Sequence, residues 1–223
     1  MIIIISNQDF LKEEFSCLPE EILLQGQNYS STRQKSFYSG RLLLQKSLQY
    51  FYKCRSLPKL IFQEHGRPIL EDGSLPLFSL SHTGDHVAIA LGYSALGLDL
   101  ELIRNRSFLL WQRILSEREL DYVKASANPQ TLFTLLWTLR ESLLKSDGLG
   151  LSALSKIKCD LKNLKVYYPN AQSGHISSYI LPNNLCMSVY KVLLDPILEI
   201  YRYTNDCFSP IVLQPEFRFE VDS

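Results

Sequence analysis

The feature that most constrains the fold is a run of three apolar stretches in residues 76–104, separated only by the short sequences TGD and GYSA. Both separators are turn-forming, and the stretches have the length and composition of β-strands. The third stretch, LGLDLELIR (96–104), carries Asp99 and Glu101 between leucines. Residues i and i+2 of a strand face the same side, so the two carboxylates are neighbours. Because like charges repel, and burial worsens the repulsion, we expect a positive charge beside them.

Helical periodicity occupies much of the remaining chain. Residues 30–53 place apolar side chains at helical spacing behind Ser and Thr caps, which predicts a long helix. Residues 107–125 also have a helical pattern, with a second cap at Ser116 and Glu119 three residues later. Thr131–Lys145 is predicted as a third helix, because an Asn-Pro pair precedes it and two glycines follow it.

The other segments favour strands. MIIIIS at the start predicts a first strand, and KLIFQEHGRPIL (59–70) predicts two extended pieces around a Gly-Pro turn. From residue 156 onward, apolar and polar residues alternate as in short antiparallel strands. We therefore predict an α+β fold of two pseudo-symmetric α/β halves, 1–104 and 105–223, each a long helix packed on a small antiparallel sheet.

Composition narrows the class of protein. The chain has 223 residues with 23 basic and 23 acidic side chains, and a net charge of zero argues against a protein that coats nucleic acid or a membrane. Its 5 cysteines form no CxxC pair, which favours free thiols in a reducing compartment. The apolar N-terminal run is too short for a signal peptide or a membrane span. These features predict a cytoplasmic protein.

A stripe on the third helix adds a further acid. Trp137, Glu141 and Lys145 are spaced i, i+4, i+8 and lie along one face. The stripe is compatible with an exposed ion pair beside a core aromatic residue. It is also compatible with a site in which Glu141 joins Asp99 and Glu101, since three carboxylates suit Mg²⁺, which shares its coordination shell with substrate phosphates.

Two shorter clusters carry polar chemistry. In FSLSHTGDH, Ser81 and His82 are unsuited to a serine hydrolase because adjacent residues seldom face each other and no G-x-S-x-G motif is present. His82 is then either a turn residue or a hydrogen-bond donor to phosphate. The sequence Gly66-Arg67-Pro68 is either a solvated turn or a stiffened turn whose arginine binds a phosphate.

In their order and spacing, these clusters resemble the surfactin-type 4'-phosphopantetheinyl transferases. The resemblance covers residues 30–155 and extends weakly into the final strands. The segments that carry it are Gly66-Arg67-Pro68, Phe78–His82, Gly97–Glu101, Trp137–Glu141 with Lys145, the helix segment SGRLLLQKSL with Arg41, and GLGLS (148–152).

The resemblance implies an enzyme that transfers the 4'-phosphopantetheine arm of coenzyme A to a serine of an acyl or peptidyl carrier protein. Such enzymes require Mg²⁺ and release 3',5'-ADP, and single chains of this length act as monomers. The sequence SHTGDH is closest to holo-[acyl-carrier-protein] synthases of fatty acid biosynthesis. Two alternatives stay open, namely a non-catalytic relative that binds coenzyme A or the carrier, and a Mg²⁺-dependent pyrophosphate hydrolase.

The family motifs also assign roles to residues. Asp99, Glu101 and Glu141 would bind the metal, and Glu141 would also take the proton of the carrier serine. Lys145 would neutralise the transferring phosphate, His82 would donate a hydrogen bond to the pyrophosphate, and Trp137 would pack the site. The residues implied for coenzyme A are Arg41, Gly66, Arg67, Pro68, Ser81, His82 and Lys145, with Arg33 a weaker candidate.

Three positions depart from the family pattern. Ser79 stands where Asn is usual, and Arg67 and Arg140 stand where Lys is usual. The segment Ile103–Arg113, which has arginines next to leucines and a tryptophan, is a candidate docking site for an acidic carrier protein. The alternative is a helix whose apolar residues belong to the core and whose arginines are solvated.

Overall fold

The computed structural model describes residues 1–63, 66–192 and 198–222. Short 3-10 helices cover Lys12–Cys17 and Gly150–Lys156. The α-helices of the described residues are α1 (Glu20–Gln27), α2 (Ser31–Tyr52), α3 (Phe108–Ile114), α4 (Glu117–Ala125) and α5 (Pro129–Asp147).

The strands form two large sheets and one small hairpin. The first sheet has the order β12-β11-β1-β5-β4, the second has the order β6-β10-β9-β13-β8-β7, and β2 pairs with β3. The strands are β1 (Ile2–Asn7), β2 (Leu60–Phe62), β3 (Pro68–Leu70), β4 (Leu77–Thr83), β5 (His86–Gly92), β6 (Leu96–Leu102), β7 (Lys158–Asp160), β8 (Lys165–Tyr167), β9 (Gly174–Leu181), β10 (Leu185–Val192), β11 (Glu199–Thr204), β12 (Cys207–Ile211) and β13 (Phe217–Asp222).

The apolar run of β1 is buried on both faces. Ile4 packs with the leucines of α2, whereas its neighbour Ile3 points into a core shared by the two sheets. Successive strand residues face opposite sides, so a strand covered on both faces needs an uninterrupted apolar sequence. The shared core contains Ala88 and Ala90 of the first sheet together with Leu98 and Leu100 of the second, among other residues. The faces of the two sheets therefore pack against each other.

Each sheet is covered on its other face by one long helix. Leu42, Leu43, Leu44 and Leu48 of α2 are fully buried in the core of the first sheet. Leu139 and Leu143 of α5 pack with Ile176 and Tyr190 of the second sheet. This arrangement confirms the predicted α+β fold, in which a long helix packs on each sheet.

Two details of the predicted elements need correction. The pattern at residues 107–125 is divided into α3 and α4, and α4 begins with the capping box between Ser116 and Glu119. The C-terminal strands are not all antiparallel, because β11 runs parallel to β1 and β8 runs parallel to β13. Local alternation indicates a strand but carries no information about its partner.

Both sheets take strands from both sides of residue 104. The strand β6 pairs with β10, and β11 and β12 join the sheet of β1. The division of function between residues 1–104 and 105–223 stays a prediction. In the described part of the chain, no helix is both long and apolar enough to cross a membrane.

Candidate active site

A cavity of about 400 Å³ opens between α2 and α5, and residues of β4 also line it. Its lining includes apolar side chains such as Phe37 and Leu144, and several cationic ones. Most of the residues selected from the sequence meet here. Those that line the cavity are Arg33, Arg41, Gly66, Arg67, Pro68, Ser79, His82, Glu141 and Lys145.

Asp99 lies on β6 and is only 4% exposed. Its Oδ1 accepts hydrogen bonds from Lys145 Nζ at 2.7 Å and from Ser81 Oγ at 2.8 Å. Its Oδ2 is buried and has no hydrogen-bond partner. The positive charge expected beside the strand carboxylates is therefore supplied, in this structure, by Lys145 of α5.

Glu101 lies on the same face of β6, two residues further on. Its Oε2 accepts from Thr83 Oγ1 at 3.2 Å and from Arg106 at 3.4 Å. Burial and the nearby charge of Asp99 raise the pKa of Glu101, although Arg106 opposes this shift. The two strand carboxylates are thus electrostatically coupled, as the i, i+2 spacing predicts.

Glu141 reaches the same region from α5. Its Oε1 is buried without a hydrogen-bond partner. Burial, followed by the charge of Asp99, raises the pKa of Glu141 to about 7, while Lys145 acts in the opposite direction. With a pKa of about 7, Glu141 would be partly protonated at neutral pH when no metal ion is bound.

These carboxylates offer hard oxygen donors of the kind that Mg²⁺ prefers. Two buried oxygens, Asp99 Oδ2 and Glu141 Oε1, lack partners, which is costly for a carboxylate unless a cation or a donor satisfies it. In the arrangement seen, no group of three or more His, Cys, Asp or Glu among the described residues is placed so that it could hold a metal ion. The unpartnered oxygens and the donor chemistry fit Mg²⁺, but the three carboxylates are not placed so that together they form a complete set of metal ligands.

Basic groups occupy the side of the cavity that faces α2 and the 66–68 turn. Arg41 is 8% exposed, its Nε has no partner, and burial lowers its pKa to about 10. Arg67 donates to the carbonyl oxygen of Ser146 at the end of α5, and burial lowers its pKa as well. His82 projects from the end of β4, and its pKa is lowered by partial burial and by Lys145.

Comparison with known proteins shows the family to which this chain belongs. Residues 95–189 match the family model of the 4'-phosphopantetheinyl transferase superfamily. The chain is 30% identical over 165 residues to the 4'-phosphopantetheinyl transferase AcpT of Salmonella typhimurium, a match that covers 67% of this chain and 82% of AcpT. This chain belongs to the 4'-phosphopantetheinyl transferase superfamily. The predicted family and enzyme class are confirmed.

Two further relatives have a similar sequence identity to this chain. A Haemophilus influenzae protein with the provisional name 4'-phosphopantetheinyl transferase is 29% identical over 184 residues. The match covers 76% of this chain and 77% of that protein. The L-aminoadipate-semialdehyde dehydrogenase-phosphopantetheinyl transferase of Saccharomyces cerevisiae is 28% identical over 168 residues, 66% of this chain and 61% of that protein. The phosphopantetheinyl transferase family uses coenzyme A as substrate and acts on carrier proteins.

Within this phosphopantetheinyl transferase, sequence reasoning missed the structural role of Gly97. A Cβ atom at Gly97 would lie 1.8 Å from the carbonyl oxygen of Ser142, so only glycine lets α5 approach β6 this closely. The glycine precedes Asp99 on the same face of the strand, and the close approach brings Lys145 to Asp99. An isolated glycine in a strand pattern is the signal that could have indicated this contact.

Arg140, one of the departures from the family pattern, points away from the cavity. It is fully buried and donates to Glu119 Oε1, while a second nitrogen donates to the carbonyl oxygen of Leu136 at 3.1 Å. The same Glu119 Oε1 accepts from the backbone N–H of Cys159 at 3.1 Å. Arg140 thus ties α5 to α4 and to β7, and sequence periodicity alone could not have named its partner.

Proposed function

We propose that this chain catalyses the Mg²⁺-dependent transfer of the 4'-phosphopantetheine arm of coenzyme A to a carrier-protein serine, with release of 3',5'-ADP. The observation that carries the proposal is the meeting of Asp99, Glu141 and Lys145 beneath a cavity lined with basic groups. Buried carboxylate oxygens without partners lie next to a space that suits phosphates. Hydrolysis would leave the carrier with no role, and a non-catalytic relative that binds coenzyme A or the carrier would leave the carboxylates without a reaction to assist.

Coenzyme A is assigned to the cavity because its phosphates need cations and donors. Arg41 offers an unpartnered buried N–H, and His82 and Lys145 line the same space. The positive φ of 78° at Gly66 and the proline at 68 shape the turn that presents Arg67. Arg67 already donates to a backbone carbonyl, so we assign it to the rim of the site, with its charge acting on the adenosine 3'-phosphate.

Ser81 receives a different role from the one that the resemblance implies. The side chain is 5% exposed, and its hydroxyl bonds Asp99 and the backbone N–H of Leu100. Ser81 also does not line the cavity, whereas the next residue, His82, does. We therefore assign Ser81 to the support of Asp99 and leave the phosphate contact to His82.

Mg²⁺ would be held by Asp99, Glu101 and Glu141. When bound, the ion would neutralise charge on the phosphate oxygens as the bond to the leaving 3',5'-ADP weakens. Lys145 lies next to Asp99 and would add its own positive charge at the transferring phosphate. Glu141 is also the residue assigned to accept the proton of the carrier serine, directly or through a water molecule.

The carrier is assigned to the segment Ile103–Arg113, which adjoins the carboxylates. Leu109 is 74% exposed and Phe108 is 46% exposed, whereas Trp111 is buried in the core. Exposed apolar residues flanked by the exposed side chain of Arg113 suit an acidic partner with an apolar contact. The docking hypothesis and the core hypothesis therefore apply to different residues of the same segment.

The docking assignment is tested with the double variant Leu109→Glu, Arg113→Glu. Arg104 and Arg106 are left unchanged because both affect Glu101, and Arg106 donates to it directly. The KM for the carrier should rise about ten-fold while the KM for coenzyme A stays constant. Arg55→Glu, another exposed arginine, is the control. An equal rise in both KM values would instead indicate a damaged fold.

The reaction is tested by intact-protein mass spectrometry of an apo acyl carrier protein incubated with this protein, coenzyme A and Mg²⁺. We expect the carrier to gain one phosphopantetheinyl group, and the gain to vanish with EDTA or with Asp99→Ala. If several fatty-acid, peptide and polyketide carriers stay unmodified while coenzyme A binds, the non-catalytic relative is the better description. Release of phosphopantetheine without any carrier would identify a hydrolase.

Three finer assignments accompany this proposal. Fatty acid biosynthesis is assigned as the pathway, the cytoplasm as the location, and the monomer as the active form. The first is tested by comparing kcat/KM on fatty-acid and peptidyl carriers. The last is tested by light scattering at the protein concentration of the assay.

A further inference from the structure

The two large sheets meet at β4 and β6, which are the edge strands of different sheets. No backbone pairing links these strands; side-chain hydroxyls of β4 accept from the backbone N–H groups of β6. The residue offset is constant, so the hydroxyls form a ladder along two strands that run in the same direction. The bonds join Leu98 N to Ser79 Oγ (2.9 Å), Leu100 N to Ser81 Oγ (3.1 Å) and Leu102 N to Thr83 Oγ1 (3.3 Å).

This hydroxyl ladder, formed by Ser79, Ser81 and Thr83, is buried, with exposed fractions of 5%, 5% and 7%. Buried edge N–H groups need acceptors, because a buried N–H that has lost its bond to water and gained no other partner destabilises the fold. A hydroxyl meets this need and still has one proton to donate. The ladder therefore satisfies the edge N–H groups of β6, and each of its hydroxyls still has one O–H to donate.

The donors of the ladder are used unevenly. Ser81 Oγ donates to Asp99 Oδ1 at 2.8 Å, and Thr83 Oγ1 donates to Glu101 Oε2 at 3.2 Å. Ser79 forms hydrogen bonds only with the backbone of β6, its hydroxyl lying 3.5 Å from the carbonyl oxygen of Leu98, and it also lines the cavity. Ser81 and Thr83 thus each bind one of the two strand carboxylates, and Ser79 binds neither.

The contact between Ser81 and Asp99 determines which carboxylate oxygen stays free. Oδ1 is occupied by Ser81 and Lys145, and Oδ2, the other oxygen, is buried without a partner. Rotation of the carboxylate would break both bonds to Oδ1. The free oxygen is thereby fixed in its orientation before any cation arrives.

We propose that Ser81 and Thr83 are positioning residues for the metal carboxylates, and that Ser79 joins the sheets without acting on the metal. This inference rests on the proposed metal site at Asp99, Glu101 and Glu141. It also gives Ser79, which stands where the family pattern has asparagine, a role in which only its hydroxyl is needed. Because the same hydroxyls join the two sheets and hold the carboxylates, cation affinity should depend on the contact between β4 and β6.

The test measures direct binding of Mn²⁺, as a spectroscopic substitute for Mg²⁺, by electron paramagnetic resonance with and without coenzyme A. Ser81→Ala and Thr83→Val should weaken Mn²⁺ binding about ten-fold, the usual effect of losing a partner of a metal ligand. Thr83→Ser keeps the hydroxyl and should restore affinity. Ser79→Ala is the matched control in the measurement without coenzyme A, because Ser79 also lines the cavity. It should lower the Tm but leave Mn²⁺ affinity in that condition unchanged.

Each outcome discriminates. If Ser79→Ala weakens Mn²⁺ binding as much as Ser81→Ala, the ladder acts through the fold alone and the inference is wrong. Unchanged affinity in Ser81→Ala and Thr83→Val would overturn it as well. A wild-type protein that binds no Mn²⁺ in either condition would overturn the metal assignment itself. If the wild type binds Mn²⁺ and the variants bind it equally well, only the positioning role is overturned and the metal assignment stands.

Discussion

Gly97 controls the distance between α5 and β6 with the absence of a single carbon atom. In Gly97→Ala, the new Cβ would lie 1.8 Å from the carbonyl oxygen of Ser142, and a backbone atom cannot move aside as a side chain can. We expect a loss of about 3 kcal/mol in the free energy of unfolding, the upper range for overpacking. Urea denaturation measures the loss.

Gly73→Ala provides the control for this substitution, because no atom lies within 4 Å of the position of its Cβ. Its midpoint in urea should match that of the wild type. Gly97→Ala should also lose transferase activity, since Lys145 would move away from Asp99. A Gly97→Ala protein with normal stability and activity would show that α5 tolerates a wider spacing.

Residue-level rules gave part of the site from the sequence. The i, i+2 rule placed Asp99 and Glu101 on one face, and helical spacing placed Glu141 and Lys145 on one stripe. Neither rule connects the strand to the helix, and the bond between Lys145 and Asp99 spans 46 residues of sequence. Such contacts depend on how whole elements pack, which local periodicity does not encode.

At the scale of elements, the bond between α4 and α5 is a buried ion pair. Glu119 is 3% exposed and Arg140 is fully buried. Glu119→Gln would leave the guanidinium of Arg140 without a charged partner in the interior. We expect a loss of about 3–5 kcal/mol in the free energy of unfolding, measured by urea denaturation at pH 7.

An exposed pair on α4 offers a contrast. Lys124 and Asp121 are 3.8 Å apart and both largely solvated. Asp121→Asn should therefore leave stability within about 0.5 kcal/mol of the wild type, as is usual for surface ion pairs. If Glu119→Gln proves equally mild, the buried pair contributes no more than a surface pair.

The contribution of Glu119 should depend on pH. Burial alone raises the pKa of Glu119, but the charge of Arg140 and hydrogen bonds from Ser116 outweigh burial, and the net pKa is lowered. A carboxyl with a lowered folded-state pKa stabilises the fold above its ordinary pKa, about 4.5, and this contribution disappears as the pH falls through the folded-state value. The stability difference between wild type and Glu119→Gln should therefore shrink below about pH 4.5.

A series of urea denaturations from pH 7 to pH 3 measures this dependence. A difference that stays constant over the whole range would show that the pair acts through packing and neutral hydrogen bonds.

Elements themselves were largely predictable, and their ends were predictable where a cap marks them. The Ser116 and Glu119 signal gave the start of α4, and Gly148 in the left-handed conformation ends α5. The short helix α1 was missed because its moderate apolar content gave no clear period. The parallel partner of β1 was missed because pairing with β11 joins residues at distant points of the sequence.

At the scale of the whole molecule, the exchange of strands makes the two sheets interdependent. A fragment of residues 1–104 would lack β11 and β12 beside β1, and its β6 would have no β10. We expect this fragment to stay unfolded by circular dichroism and by the dispersion of its amide NMR signals. An independently folded fragment would show that the first sheet is stable without its last strands.

The same exchange predicts a single unfolding transition for the full chain. Because the sheets share a core and each depends on strands from both sides of residue 104, neither can melt first. Fluorescence and circular dichroism should give coincident urea curves. Separate midpoints would indicate that the halves unfold independently.

The fold class followed from strands and helices that local patterns mark clearly, and the family followed from the order of its motifs. The sheet to which each strand belongs did not follow. Residues 96–104 read as the third of three consecutive strands, yet β6 leaves the sheet of β4 and β5 and joins β10. The hydroxyls of β4 allow this separation, and a hydroxyl in a strand has no sequence signature of that role.

The pairing of β1 with β11 has a consequence for biosynthesis. On the ribosome, the isoleucines of Ile2–Asn7 emerge before β5 can pair with one side of the strand, and far ahead of Glu199–Thr204, which cover the other side. For most of translation, the nascent chain therefore presents an apolar strand with an open hydrogen-bonding edge, a state prone to aggregation. Aggregation of this chain should therefore depend on how soon Glu199–Thr204 become available to cover that edge.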